Sequence, residues 1–291
     1  MVVFDRVIII GNGSIAVNIL KSLSFLNKRL EAISYKEHNL SFLRILSAKY
    51  NIKFNSFVES NLLDYYLNKI NNQTLIISAN NNYIFKSNLI NKKYIKIVNF
   101  HNALLPKHKG VNAPIWTIYN QDKISGITWH IVSDKLDSGD IIIQQKIAIK
   151  NNITSMQLFK ELMDLGFKSF LAIQDDLLKW NVKSHKMQFT KSKMHKFSEL
   201  PNNGFLNITW GREKMSAFLR SMDAFNIIPK PKIKIQNKNF IINRYFLDST
   251  KYFPFCLYIN NITLELNGGG YKPNLAFYLS NLSYFSTKVC A

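Results

Sequence analysis

The sequence predicts an α/β protein with a Rossmann-like, mostly parallel sheet flanked by helices and a small β-rich C-terminal domain. Three observations support this fold class. Short β-branched runs alternate with segments of helical periodicity over the first half of the chain. A glycine-rich turn, Gly11 to Gly13, follows the first of these runs, as is typical of the first strand-to-helix turn in a parallel sheet. After residue 207 the apolar runs become short and closely spaced, which favours a small β domain.

The individual elements of the first half follow from their apolar patterns. Residues 6–10 form a continuous β-branched run, which predicts a buried parallel strand. Ser14 is predicted to cap the next helix, whose apolar face contains Ile15, Ile19, Leu23 and Leu26. The same patterns predict helices at 40–50, 62–70 and 155–180, and strands at 74–77, 94–98, 126–132 and 140–149.

A change in composition predicts the domain boundaries. Residues 1–180 form the large α/β domain, and residues 181–207 are polar and lysine-rich, as expected of a linker. Residues 208–291 form the small β-rich domain, with one helix at 213–225 and strands at 232–235, 240–246, 256–259 and 262–266. The stretch from residue 268 to the end shows no pattern that we interpret.

Composition excludes several classes of protein. With 47% hydrophobic and 13% aromatic residues among 291, the chain is too apolar for an intrinsically disordered protein. Two cysteines exclude a disulfide scaffold. No apolar run reaches the length of a membrane span, so we expect a cytoplasmic protein without a membrane partner.

The net charge of +20 has two interpretations. Lysine, asparagine and isoleucine are all abundant, and a bias towards AT-rich codons would add solvated lysines that bind nothing. Alternatively, the charge forms a docking surface for an acidic macromolecule. Residues 177–251 hold 15 Lys and Arg against 4 Asp and Glu, so the excess is densest there.

The glycine turn also permits a dinucleotide-binding interpretation. Gly11, Gly13 and Ala16 fit a G-x-G-x-x-A fingerprint between a strand and a helix, and Glu31 follows Gly11 by twenty positions, where a ribose ligand is expected. An NAD-dependent dehydrogenase is therefore one hypothesis. The fingerprint alone is weak evidence, because any first turn of such a sheet favours glycine.

A second group of polar residues predicts acyl-transfer chemistry. Asn99 and His101 stand two residues apart at the end of a buried strand, so their side chains point to the same side. Asp137 lies on a glycine turn between two later strands. Singly, each residue also has a structural explanation, as a cap, a strand-end histidine or a turn aspartate. Together they supply a carboxamide donor, an imidazole acid or base and an orienting carboxylate.

These residues stand in motifs that resemble the signature of the 10-formyltetrahydrofolate-dependent formyltransferases. The motifs are Asn99-x-His101, Leu104-Leu105-Pro106, Gly110, Gly126-x-Thr128 and Leu136-Asp137-x-Gly139. The resemblance covers roughly residues 5–180, with a weaker similarity near Trp210-Gly211-Arg212. It implies the formyltransferase fold, 10-formyltetrahydrofolate as the formyl donor and no metal, and it displaces the dehydrogenase hypothesis because the family uses no NAD.

The resemblance also assigns roles to residues. Asn99 would donate to the oxyanion, His101 would stabilise that oxyanion or shuttle the amine proton, and Asp137 would orient His101. The folate-pocket candidates are Tyr83, Ile84, Phe85, Leu136 and Gly139, and the candidates facing the acceptor are Lys107, His108, Gly110 and His130.

Three acceptor amines remain open. A carrier-bound aminoacyl or peptide amine is the first expectation, because Thr128-Trp129-His130 resembles the formylation domains of peptide synthetases. A nucleotide-linked amino sugar and initiator methionyl-tRNA are the alternatives, and the positive charge favours the latter. A non-enzymatic scaffold or nucleic-acid-binding protein is a further hypothesis, against which the presence of Asn99, His101 and Asp137 argues.

Overall fold

A computed structural model describes residues 4–36, 41–188, 192–224, 227–235, 237–247 and 256–267. Its strands are β1 (Arg6–Gly11), β2 (Leu30–Tyr35), β3 (Lys53–Phe57), β4 (Thr74–Ala79), β5 (Ile95–His101), β6 (Lys109–Gly110), β7 (Ile124–Ile131), β8 (Ile141–Ala148), β9 (Met194–His195), β10 (Phe205–Leu206), β11 (Lys232–Ile235), β12 (Lys238–Phe246), β13 (Cys256–Ile259) and β14 (Ile262–Asn267). Its α-helices are α1 (Gly13–Leu23), α2 (Phe42–Lys49), α3 (Ser60–Asn68), α4 (Ser87–Ile90), α5 (Ala113–Tyr119), α6 (Ser155–Leu178) and α7 (Arg212–Met222).

A seven-stranded sheet in the order β3-β2-β1-β4-β5-β7-β8 confirms the predicted fold class. The first five strands in this order are parallel, whereas β7 is antiparallel to both β5 and β8. The strand order reverses between β1 and β4, and open α/β sheets bind their ligands outside the carboxyl ends of the strands at such a point. Asn99 and His101 lie at the carboxyl end of β5, beside this reversal.

The first strand and turn show how local sequence builds this sheet. Ile8, Ile9 and Ile10 are fully buried, as expected for a parallel strand covered on both faces. A Cβ atom on Gly11 would lie 2.0 Å from the Ala79 carbonyl oxygen, so the close approach of β1 and β4 requires glycine there. The predicted cap is wrong: Asn12, not Ser14, is the N-cap of α1, and Ser14 is exposed within the helix.

Other elements differ from their prediction in extent or were missed. Leu26 is buried, but in a 3₁₀ segment after α1 rather than in the helix. The predicted end of α7 at Phe225 lies outside the described residues. Sequence patterns did not predict the following elements: β2, β3, α4, β6, α5, β9 and β10.

A second sheet of five strands, β10-β11-β12-β14-β13, confirms the β-rich C-terminal region. One face of α7 packs in its core, where Met215, Phe218 and Leu219 are fully buried with Ile233 and Leu264. Of the described residues, those within 1–111, 124–148 and 159–195 form one compact unit, and those within 112–123, 149–158 and 196–291 form the other. The predicted boundaries near residues 180 and 207 stay a prediction. In the part of the chain that is described, no helix is long and apolar enough to cross a bilayer.

Candidate active site

Asn99 and His130 face each other across the antiparallel pair β5–β7, where they are directly in register. The Asn99 Nδ2 atom lies 3.1 Å from His130 Nε2. The Ser78 hydroxyl, on the neighbouring strand β4, donates to Asn99 Oδ1 at 2.7 Å. Both ends of the Asn99 carboxamide are therefore held, and its side chain remains half-buried rather than sealed from solvent.

His101 is buried, with 6% of its surface exposed. Its Nε2 atom lies 2.9 Å from the His108 carbonyl oxygen, and because a carbonyl only accepts, this ring nitrogen carries a proton. Its Nδ1 atom faces Asp137 Oδ2 at 3.7 Å. Burial lowers the pKa of His101 below its ordinary value of 6.5, although the Asp137 carboxylate opposes that shift. His101 therefore favours the neutral form at pH 7.

Asp137 contacts both histidines. Its Oδ2 atom accepts a hydrogen bond from the Gly110 N–H at 2.8 Å, and its Oδ1 atom lies 3.7 Å from His130 Nε2. Burial alone would raise the pKa of Asp137, but its electrostatic interactions with the His101 and His130 imidazoles and the hydrogen bond from the Gly110 N–H hold it below its ordinary value. The site thus contains an ionised carboxylate between two imidazoles.

Gly110 is fixed by its backbone, because it has φ of +87° and pairs with His195 between β6 and β9. A Cβ atom at Gly110 would lie 2.2 Å from the His195 carbonyl oxygen, so a side chain would displace the N–H that binds Asp137. His108 and Lys107, which were also predicted to face the acceptor, differ in their surroundings. The His108 ring stacks on His195, whereas Lys107 is exposed.

His130, also predicted to face the acceptor, is 2% exposed and lies between Asn99 and Asp137. Its Nδ1 atom is 3.0 Å from the Ile131 carbonyl oxygen, so this nitrogen carries a proton and Nε2 accepts in the neutral ring. The structure therefore places His130 inside the polar cluster, in contact with Asn99.

The five folate-pocket candidates are not equivalent. Tyr83 and Phe85 are buried in a hydrophobic cluster, and the Tyr83 hydroxyl donates to Asp64. Ile84 and Leu136 are 66% and 38% exposed, so their side chains are free to contact a ligand. A Cβ on Gly139 would lie 1.7 Å from the Ile131 carbonyl oxygen, which explains that glycine by packing. Their assignment to a folate pocket stays a prediction.

The dinucleotide interpretation fails at Glu31. This side chain is 2% exposed and forms an ion pair with Arg6, while the Tyr66 hydroxyl and the Asn55 amide also donate to it. With its oxygens occupied by these partners, Glu31 has a structural explanation and is not available to hold a ribose.

Thr128 and Trp129, which suggested a carrier-bound acceptor, are both fully buried. The Thr128 hydroxyl donates to the Ala103 carbonyl oxygen at 2.7 Å and accepts from the Leu105 N–H at 3.0 Å, so it holds the loop after β5. The Trp129 indole N–H donates to the Gly166 carbonyl oxygen at 3.0 Å. Both residues therefore have roles inside the fold.

Sequence reasoning missed Ser78. This serine is 1% exposed near the end of β4, where it pairs in register with Asn99 of β5. A single hydroxyl near the end of a buried apolar run, one strand away from a candidate active-site residue, is the signal that could have found it.

Several known proteins are similar to this chain in sequence or in fold. Residues 44–173 match the formyl transferase family. The match spans less than half of the chain, and this part contains a formyl transferase domain. The chain is 25% identical over 159 residues to a GDP-perosamine N-formyltransferase of Brucella melitensis, a match that covers 53% of this chain and 60% of that protein. It is 31% identical over 114 residues to a methionyl-tRNA formyltransferase of Finegoldia magna, covering 39% of this chain and 36% of that one. The matches thus span 60% or less of these curated relatives.

Solved structures share the fold of this chain over most of its length. WlaRD, a sugar 3N-formyl transferase solved with dTDP and 5-N-formyl-THF, superposes with a TM-score of 0.70 at 21% identity, covering 91% of this chain and 98% of that one. An N-formyltransferase from Helicobacter canadensis, solved with folinic acid and dTDP-3-aminofucose, gives a TM-score of 0.70 at 19% identity, covering 90% and 99%. At these identities the likeness establishes the fold.

Proposed function

We propose that this protein is an N-formyltransferase that moves the formyl group of 10-formyltetrahydrofolate to a primary amine. One observation carries the proposal: Asn99, His101 and Asp137, on a strand end and a separate loop, form one polar cluster with both neutral and ionised members. A carboxamide N–H, a proton acceptor and an orienting carboxylate are the groups that acyl transfer to an amine requires.

Each of the three residues has a role that its surroundings support. The amine attacks the formyl carbon, the new C–N bond forms, and the carbonyl oxygen gains charge. The Asn99 N–H donates to that oxygen, a contact worth about 3 kcal/mol at the transition state. Burial favours neutral His101, which therefore acts as the acceptor of the amine proton rather than as a permanent imidazolium. Asp137 stabilises the imidazolium that then forms, and the C–N10 bond breaks as N10 of the folate is protonated.

Two exposed apolar side chains support a folate donor. Ile84 lies in the loop after β4, and Leu136 directly precedes Asp137. Such side chains are suited to cover a planar heterocycle, while backbone groups of the same loops bind its polar edge. The solved relatives that contain 5-N-formyl-THF and folinic acid support the same donor class.

For the acceptor, we propose a nucleotide-linked amino sugar. Two structures that share the fold over most of both chains were solved with dTDP or with dTDP-3-aminofucose, and the Brucella relative is named for a GDP-linked sugar. The expectation of a carrier-bound acceptor depended on the Thr128-Trp129-His130 string and on the C-terminal similarity, and Thr128 and Trp129 are fully buried. Methionyl-tRNA remains the second candidate, because several curated relatives bear that activity and the chain is strongly basic. The basic docking surface for an acidic macromolecule stays a prediction.

The test is an acceptor panel with purified protein and 10-formyltetrahydrofolate. The panel contains dTDP- and GDP-linked amino sugars, an aminoacyl carrier protein and methionyl-tRNA, and tetrahydrofolate release is measured. We expect turnover with an amino sugar and its loss by at least ~10²-fold in Asn99→Ala and His101→Ala. Full activity in His101→Ala would contradict the assignment of the site, and turnover only with methionyl-tRNA would contradict the acceptor.

A further inference from the structure

Resting on the proposed function, we propose that Ser78 is a positioning residue that fixes which way the Asn99 carboxamide points. A carboxamide has one accepting and one donating end, and only the donating end stabilises an oxyanion. Rotation by half a turn would present Oδ1 to the developing negative charge instead of N–H. The orientation of this one side chain therefore decides whether it helps or opposes the reaction.

A directional series of hydrogen bonds sets that orientation. The Asn81 side-chain N–H donates to Ser78 Oγ at 3.3 Å, which leaves the Ser78 hydroxyl proton for Asn99 Oδ1 at 2.7 Å. The Asn99 N–H then points at His130 Nε2, 3.1 Å away. The Ile131 carbonyl requires the proton of His130 on Nδ1, so Nε2 of the neutral ring accepts.

The reversed carboxamide does not fit this series. Oδ1 would face His130 Nε2, which carries no proton in the neutral ring, and two lone pairs would oppose each other. Nδ2 would face the serine oxygen, and the Ser78 hydroxyl proton would lose Asn99 Oδ1 as its acceptor. In the observed orientation one Asn99 N–H binds His130, and the other has no hydrogen-bond partner among the described residues. That second N–H is the donor available to the substrate.

The protein offers a matched control for Ser78. Ser34 lies on β2 of the same sheet, is likewise 1% exposed, and donates from its hydroxyl to Ser56 Oγ at 3.0 Å. Ser34→Ala removes one buried serine hydrogen bond just as Ser78→Ala does, but it leaves Asn99 untouched. A difference between the two variants therefore reports on the carboxamide and not on the loss of a buried hydroxyl.

The kinetic experiment compares both variants with the unmodified protein in formyl transfer. We expect Ser78→Ala to lower kcat about tenfold with the acceptor KM within about twofold, because the hydrogen bond that holds the productive orientation of the carboxamide is lost. Ser34→Ala should retain kcat. In an Asn99→Ala background, Ser78→Ala should lower kcat less than about twofold, because no carboxamide remains to be oriented.

A second measurement does not depend on turnover. Nitrogen NMR of the histidine rings, with His130 assigned by its loss in His130→Asn, should show the His130 proton on Nδ1 at neutral pH. A proton on Nε2 overturns the proposal. Equal kcat in Ser78→Ala and Ser34→Ala overturns it as well, while the unmodified enzyme stays active and the proposed function stands. An unmodified protein that formylates no acceptor overturns both.

Discussion

Replacing Asp137 with asparagine tests how much of the chemistry depends on one buried charge. The side chain keeps its size, and its amide oxygen can still accept from the Gly110 N–H. What it loses is the negative charge that lies 3.7 Å from His101 Nδ1. At that distance, with an effective dielectric constant near 20, the attraction to a charged imidazole is about 4 kcal/mol.

This energy sets the expected loss of activity. If the imidazolium of His101 forms during the reaction, losing 4 kcal/mol corresponds to an upper limit of about 10³-fold in rate, since each tenfold takes about 1.4 kcal/mol. We expect Asp137→Asn to lower kcat by about 10² to 10³-fold, measured by single-turnover formyl transfer.

The matched control is Glu31→Gln, which also neutralises a buried carboxylate but does so in the ion pair with Arg6. It should lower the unfolding temperature and leave kcat unchanged. If Asp137→Asn is folded by the same thermal criterion and keeps more than a tenth of its activity, the charge is not needed and the reasoning is refuted.

Three further expectations concern pH, salt and packing. Burial lowers the pKa of His101 below 6.5, so the neutral ring persists at pH 6.5 and above. Both kcat and the free energy of unfolding should fall as the pH drops through the lowered pKa. A kcat that rises on acidification contradicts the role of His101 as a base. Raising salt from about 50 to 200 mM should increase KM steeply for a transfer RNA but little for a nucleotide sugar, so a steep dependence favours docking on residues 177–251. A Cβ atom on Gly166 would lie 2.2 Å from the Phe100 ring, so Gly166→Ala should lower the free energy of unfolding in urea by about 1–3 kcal/mol. Gly211→Ala should not, because a Cβ atom at Gly211 has no neighbouring atom within 4 Å.

The parts of the fold that sequence could predict are those in which local pattern and burial agree. The strands β1 and β4 each contain a continuous apolar run, and continuous runs predict buried parallel strands. Strand β2 was missed because Glu31 interrupts its apolar pattern, and the charge is tolerated only because Arg6 and two other side chains neutralise or bind it. That compensation comes from residues distant in sequence, so no local pattern reveals it.

In the candidate site, positions along one strand were predictable from sequence, whereas contacts between strands and loops were not. Asn99 and His101 were predicted as neighbours because they lie on one strand, and the fold places them so. The contact between Asn99 and His130 depends on the antiparallel register of β5 and β7, and the bond from Gly110 to Asp137 depends on the path of two loops. Strand register and loop paths are tertiary properties, so the residue types were predictable but their contacts were not.

The anchoring of both imidazoles to backbone carbonyls restricts where protons can travel. His101 uses Nε2 for the His108 carbonyl and His130 uses Nδ1 for the Ile131 carbonyl, and an amide carbonyl does not take up a proton at neutral pH. Each ring therefore exchanges protons through one nitrogen only, and in both rings that nitrogen faces Asp137. No relay leads from these rings into the protein interior through the anchored nitrogens. In the proposed formyl transfer, a proton taken from the amine would therefore leave by the face at which it arrived, towards the folate nitrogen or the solvent.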